Sequence, residues 1–410
     1  VYVQVNRPEP EGPQGQRGVM SESDSAPDAS TKAGFFQMTL NELKRIVAED
    51  GGKNELAAYI VLCNGVNGRQ HKRYCTHGAK SVMSRTGMGY RIAQQAIDWL
   101  EMHKFISKPG PDDPKHLGRG QSRNLEVRHV IADNAPDVAV SRQFLDGVRG
   151  GTTPPMKHLL AEVNGTDTIP RPQAVTDAIL LFATLMKEQD FGEWGGVNPD
   201  AWFQRFTHIQ PGEMTRQGEE LLTDAVQPVD GVNGVLVTVK EAPDTGSFMP
   251  FMRNAIGESA IPDDEVAQRF WHALAELQRL HLAYRALVLW QGDPLNPKKR
   301  RNSEPIATLY INDAWARRFD PFIQYDVNRL WWRSHSTDYF DDFTSDGDPQ
   351  YQGTGRYRYI VRTDSVNTTM VVGQLRVRYW PANESTVAGR KIEQRRTLKW
   401  QQDLSGLVRN

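Results

Sequence analysis

Residues 77–130 read HGAKSVMSRTGMGYRIAQQAIDWLEMHKFISKPGPDDPKHLGRGQSRNLEVRHV. Gly78 to Ser84 has helical spacing, with Ala79, Val82 and Met83 available for packing. Thr86-Gly87-Met88-Gly89 then supplies a tight turn, since glycine tolerates positive φ. Tyr90 to His103 reads as a second helix that buries Ile92, Ala93, Ala96, Ile97 and Leu100. His103 to Ile106 ends that helix and enters a short strand. The polar loop 108–124 carries Lys115, His116, Arg119 and Arg123, and LEVRHVIA over 125–132 returns as a strand.

Helix, glycine-containing turn, helix is the helix-turn-helix order. A strand, a basic loop and a returning strand after the second helix make a wing. With the helix Glu55 to Cys63 in front, carrying Leu56, Tyr59, Ile60 and Cys63 on one face, residues 53–131 resemble the winged helix-turn-helix superfamily. That resemblance implies binding of double-stranded DNA, with the N-terminal part of the second helix against base edges in the major groove. The residues placed there are Arg85, Thr86, Tyr90, Arg91, Gln94 and Gln95. Arginine pairs bidentately with guanine and glutamine with adenine. Lys80 and the wing residues Lys115, Arg119 and Arg123 suit phosphates, which fix register rather than sequence. From 53 to 130, Lys plus Arg exceed Asp plus Glu by seven, although the whole chain carries a net charge of −1. A basic module inside a near-neutral chain is an electrostatic footprint of nucleic-acid binding. Winged helices also serve protein contact alone, and fold does not assign function.

Residues 1–34, rich in Pro, Gly, Ser and acids, are expected to be a disordered tail. Thr39 and Glu42 occupy capping-box positions at a helix entry, with Leu40, Leu43 and Ile46 at helical spacing. The first winged helix then extends over 35–133. Residues 134–171 read as a linker punctuated by Gly150-Gly151 and Pro154-Pro155. A strongly apolar helix is expected over Ala174–Lys187, and a short helix with Trp202, Phe203 and Phe206 after Pro199. A strand is expected over 231–241 and an amphipathic helix over Asp263–Leu282.

Residues 172–312 repeat the arrangement. Phe248–Glu258 and Asp263–Leu282 form the helix pair. Tyr284–Trp290 and Ile306–Ile311 form the strands, with Lys298, Lys299, Arg300 and Arg301 at the loop between them. Ile97-x-x-Leu100 followed by Phe105 matches Leu274-x-x-Leu277 followed by Leu282. Asp263, Asp264 and Glu265 open this second helix, where acids favour the helix dipole and repel phosphate. The fold class expected is therefore α+β, with tandem winged helices. Their order is topologically similar to plasmid and phage replication initiators, a likeness that carries over no functional residues.

In the C-terminal region, 313–410, RYRYIVRTDS and MVVGQLRVRYW read as an antiparallel pair of strands. Arg356, Arg358 and Arg362 share one parity, as do Arg376 and Arg378, so a basic sheet face is expected. A helix or tail follows over Ile392–Val408.

The other constellations are weak. Cys63, His71, Cys75 and His77 match no standard zinc spacing. Asp338, Asp341, Asp342, Asp346 and Asp348 lack the order of a calcium loop. Trp331 and Trp332 are adjacent and cannot both face one core. No nucleotide-binding, hydrolase or zinc-protease motif occurs, so a non-catalytic chain without cofactor or metal is expected. Two cysteines exclude a disulfide framework, and no apolar run approaches the ~20 residues that span a bilayer. A cytoplasmic protein without a membrane partner is expected. It would be a replication initiator or transcriptional regulator of a bacterial mobile element, with self-association or replication and partition proteins as further partners. The alternatives are a partition or assembly adaptor and a metal-dependent nuclease.

Overall fold

The computed structural model describes residues 34–67, 74–107, 125–127, 137–147, 153–190, 195–198, 200–208, 226–228, 235–241, 248–257, 261–296, 298, 302–311, 356–381 and 384–405. The architecture is mixed α+β, and every strand pairing among these residues is antiparallel.

The chain opens with β1 (Phe35–Met38) and α1 (Leu40–Ala48). Thr39 provides no side-chain cap to α1. The Leu40 N–H instead donates to Asp137 Oδ1 at 2.9 Å, and Glu42 is buried and paired with Arg45 Nη1 at 3.1 Å. The expected capping box is thus replaced by a cap from 97 residues away.

Next comes α2 (Lys53–Asn64), buried continuously from Leu56 to Asn64 rather than along one face. The short strands β2 (Val66–Asn67) and β3 (Tyr74–Cys75) follow, then α3 (Ala79–Thr86), α4 (Tyr90–Met102), β4 (Ile106–Ser107) and β5 (Leu125–Val127). These four strands form one sheet in the order β2-β3-β5-β4. The expected linker is structured: β6 (Val138–Ser141), α5 (Gln143–Asp146) and α6 (Pro155–Glu162). β6 pairs with β1, and Phe144, Leu145, Met156 and Leu159 join the core.

The same order then recurs. α7 (Arg171–Lys187) is buried continuously from Ala174 to Met186, and β7 (Gln189–Asp190) and β8 (Gly196–Val197) form a hairpin. β9 (Gln204–His208), β10 (Val226–Pro228) and β11 (Val235–Glu241) are inserted before α8 (Met249–Ile256), α9 (Asp263–Arg279), β12 (Ala283–Gln291) and β13 (Glu304–Ile311). A helix such as α2 or α7, apolar all round, belongs in the middle of a core. α2 packs on α3 and α4, α7 packs on α8 and α9, and α2 and α7 pack on each other within one continuous apolar core.

The two helix pairs end alike. After α4, the Phe105 N–H donates to Leu100 O at 2.9 Å and the Lys104 N–H to Glu101 O at 3.1 Å, with Lys104 left-handed at φ 62°. After α9, the Leu282 N–H donates to Leu277 O at 2.8 Å and the His281 N–H to Gln278 O at 2.9 Å, with His281 at φ 56°. Both ends satisfy orphan carbonyls by the same pair of bonds.

The C-terminal elements are β14 (Arg356–Val361), a 3-10 segment Thr363–Thr368, β15 (Thr369–Val377) and α10 (Glu384–Ser405). β14 and β15 do not pair with each other as expected. β14 adds to β11, and β15 lies between β9 and β12 in a sheet that joins seven strands among the described residues. The expected helix after Pro199 is the strand β9, held on both sides by β15 and β11, so tertiary pairing overrides the aromatic spacing. The basic face expected at Arg376 is also absent. Its side chain is buried, with Nη1 at 2.7 Å from Glu393 Oε1 of α10.

Among the described residues, no helix is long and apolar enough to cross a membrane.

Candidate nucleic-acid interface

The surface around α3 and α4 is built by a backbone device. α3 stops at Gly87, whose φ of 77° is left-handed, and the Gly87 N–H donates to Met83 O at 2.9 Å. A side chain at Gly87 would be strained by φ and would also meet the Lys157 stem, 3.0 Å from its Cβ. α4 then starts at Gly89 with no side-chain cap and no acid in its first turn. Ala93, Ala96, Ile97 and Leu100 pack inward, as their spacing predicts. The opposite face carries Arg91, Gln95 and Asp98, all exposed, with Tyr90 52% exposed at the helix start.

Of the residues assigned to this surface from sequence, Lys80, Tyr90, Arg91 and Gln95 are exposed together on α3 and the start of α4. Thr86 is a correction. It is buried, its hydroxyl donates to Val82 O at 2.6 Å, and it accepts from the Met88 N–H at 3.3 Å. Thr86 therefore shapes the turn and faces no ligand. Arg85 is half-buried, with Nε donating to Asp146 Oδ1 at 2.7 Å. Gln94 donates to Asp98 Oδ1 at 2.8 Å along its own helix. Ile92, expected inside, is 44% exposed, and Met83 is 39% exposed.

β4 and β5 pair through Ile106↔Val127 and Ser107↔Glu126, so the basic loop 108–124 springs from a hairpin attached to the end of α4. Lys115, Arg119 and Arg123 lie in that loop, outside the described residues. Lys298 is exposed between β12 and β13, while Lys299, Arg300 and Arg301 lie outside the described residues. The same holds for His71, Trp331, Trp332 and the acidic run from Asp338 to Asp348.

Two cations were missed by reading the sequence. Lys157 of α6 lies against the Gly87 turn and is exposed. Arg142, just before α5, adds its charge near His77. Both come from the segment read as a linker. Pro155 at the first helical position, with Met156, Leu159 and Leu160 behind it, was the available signal.

Burial, helped by the Arg85 charge, pushes the His77 imidazole down to about 4. His77 is thus neutral at physiological pH beside Arg85 and Arg142. Burial raises the Cys75 thiol to about 12, so it is an inert packing group. Cys63 is likewise buried and free. Among the described residues, no group of three or more His, Cys, Asp or Glu side chains is placed to hold a metal ion.

No protein-family model, curated protein or solved structure matches this chain. An uncapped helix start with Arg91 on its first turn and Lys157 against the preceding turn suits polyanions. Side chains with both donors and acceptors at Gln95 and Tyr90 suit base edges.

Proposed function

We propose that this chain binds double-stranded DNA through a winged helix-turn-helix made of α2, α3, α4 and the strands β3 to β5. The first turns of α4 enter the major groove, and the loop between β4 and β5 lies along the sugar–phosphate strand. One observation carries the reading: Tyr90, Arg91 and Gln95 are exposed on the opening turns of a helix whose other face is packed into the core. The surrounding cations supply the sequence-independent attraction. The recurrence of the element order after α7 supports the more specific form. That form is a sequence-specific replication initiator or transcriptional regulator of a bacterial mobile element.

The test is fluorescence anisotropy of the full chain with labelled duplexes, titrated with salt. Specific binding should survive competitor DNA and weaken steeply as salt rises. Binding that ignores salt, or no binding at low salt, would end the proposal.

A second reading has its own observation. Met83, Tyr90, Ile92 and Met102 expose apolar surface on the same helix pair, and Met102 is 73% exposed. A winged helix used as an assembly adaptor would bury those side chains against a protein partner. Met102→Glu separates the two readings. It lies ~18 Å along the helix from Tyr90, so an adaptor loses its partner while duplex affinity stays.

A further inference from the structure

We infer that α4, and not its counterpart α9, reads the duplex, because the equivalent face of α9 is the seat of the chain's own residues 162–168. Each chain therefore takes a single half-site. The inference rests on the DNA-binding reading above and specifies its substrate.

The matching helix ends fix the register between the two copies. Leu100, Lys104 and Phe105 correspond to Leu277, His281 and Leu282. By the same offset, Arg91, Gln95, Trp99 and Met102 of α4 correspond to Gln268, His272, Glu276 and Arg279 of α9. On α4 that row is bare at Arg91, Gln95 and Met102. On α9 each position bonds to the stretch from the last residue of α6 to Thr168. Gln268 Nε2 donates to Thr168 Oγ1 at 2.7 Å, and His272 Nε2 lies 2.8 Å from Asn164 O. The Asn164 N–H donates to Glu276 Oε2 at 2.9 Å, and Arg279 Nη2 donates to Glu162 O at 2.6 Å.

The segment is held from behind as well. Arg171 donates to Val163 O at 3.0 Å, Leu160 O at 2.9 Å and Ala161 O at 2.6 Å. Its turn is tight, since a Cβ on Gly165 would sit 2.6 Å from Ile169 O and from the Arg171 nitrogen. Four positions over about three turns of α9 are thus bonded to a clamped segment, with Gln268 and Arg279 keeping exposed surface beside it. A helix that enters the major groove by its opening turns needs the positions of Gln268 and His272 free for base edges.

Two further differences point the same way. The first turn of α9 carries Asp263, Asp264 and Glu265, all exposed, where α4 has no acid. Phosphates flanking a groove would be repelled there. Arg269 of α9 is buried against Asp177 of α7, whereas the corresponding position of α4 is the exposed Ile92. α9 is anchored where α4 is presented. A site with two half-sites about 10 bp apart then needs two chains.

The experiment begins by selecting duplexes from a randomised library with the full chain. Affinity for the recovered motif is then measured for the wild type, Gln95→Glu, Gln268→Ala and His272→Ala. Gln95→Glu should lose about ten-fold or more. Gln268→Ala and His272→Ala should stay within about two-fold of wild type. Gln268→Ala removes one surface hydrogen bond, and an unchanged melting curve certifies its fold. Losses at Gln268 or His272 matching that at Gln95 would overturn the inference and leave the DNA reading standing. So would a hydroxyl-radical footprint in which a single chain protects two major-groove segments. A library that yields no bound duplex would overturn both.

Discussion

Arg85 of α3 donates through Nε to Asp146 Oδ1 at 2.7 Å, joining the turn before α4 to the end of α5. The pair is partly exposed, at 22% and 42% for the two side chains, so its own contribution to stability is under about 1 kcal/mol. If the proposed duplex site is right, its consequence is for binding, because Asp146 holds the guanidinium assigned to the DNA. Asp146→Asn should raise duplex affinity several-fold at low salt and steepen the salt dependence by about one counterion. Anisotropy titrations over a range of salt measure both. No change in either would remove Arg85 from the interface.

Arg91 and the wing should fail differently. Arg91→Ala should relax preference at one base position of the selected motif, at a cost of about 1–3 kcal/mol. Arg119→Ala should weaken binding to all duplexes alike and lower the salt slope by about one. Competition with single-base variants of the motif reads the difference. Identical behaviour of the two variants would show that the helix and wing roles are misassigned.

The anchoring of α9 is a stability question. Arg269 Nε and Nη2 donate to Asp177 Oδ2 and Oδ1 at 2.9 and 2.7 Å, with both side chains buried. Asp177→Ala leaves a buried guanidinium without that partner and should cost about 3–5 kcal/mol in urea unfolding. Asp177→Leu combined with Arg269→Met should recover most of that loss, since apolar groups often replace a buried ion pair without penalty. A cost well below 1 kcal/mol for the single variant would contradict the burial.

His77 gives the pH dependence. Its folded value, about 4, lies below the ordinary 6.5, so between those limits the unfolded chain binds more protons. Stability should therefore rise with pH across that window and fall as acid is added from pH 6.5 towards 4. Allowing for its partial exposure, the contribution is on the order of 1–2 kcal/mol. Replacing it with the uncharged His77→Gln should flatten that part of the profile in thermal melts. An unchanged profile would assign the acid sensitivity to other groups.

Much of the local structure was legible in the residues. The apolar rows Ala93-Ala96-Ile97-Leu100 and Val266-Phe270-Leu274-Leu277 gave α4 and α9, and the matched endings at Phe105 and Leu282 proved to be matched in backbone hydrogen bonds as well. The site was legible in part. Lys80, Tyr90, Arg91 and Gln95 are exposed on α3 and the start of α4, whereas Thr86 turned inward because its hydroxyl found Val82 O one helical turn back. Lys157 and Arg142 were not legible, because nothing near them in sequence says that one will lie against Gly87 and the other near His77.

Periodicity is a local property, so the chain itself determined that there are two helix pairs, each with a basic loop behind it. Partners are chosen at long range. Folding alone decided that β14 joins β11 rather than β15, that Arg376 closes on Glu393, and that residues 162–168 bond to the row of α9 whose counterpart on α4 keeps Arg91, Gln95 and Met102 exposed. Alternation or helical spacing tells which side of an element is apolar, but not what lies against the other side. That depends on which distant backbone and charged groups arrive there when the core around α2 and α7 forms.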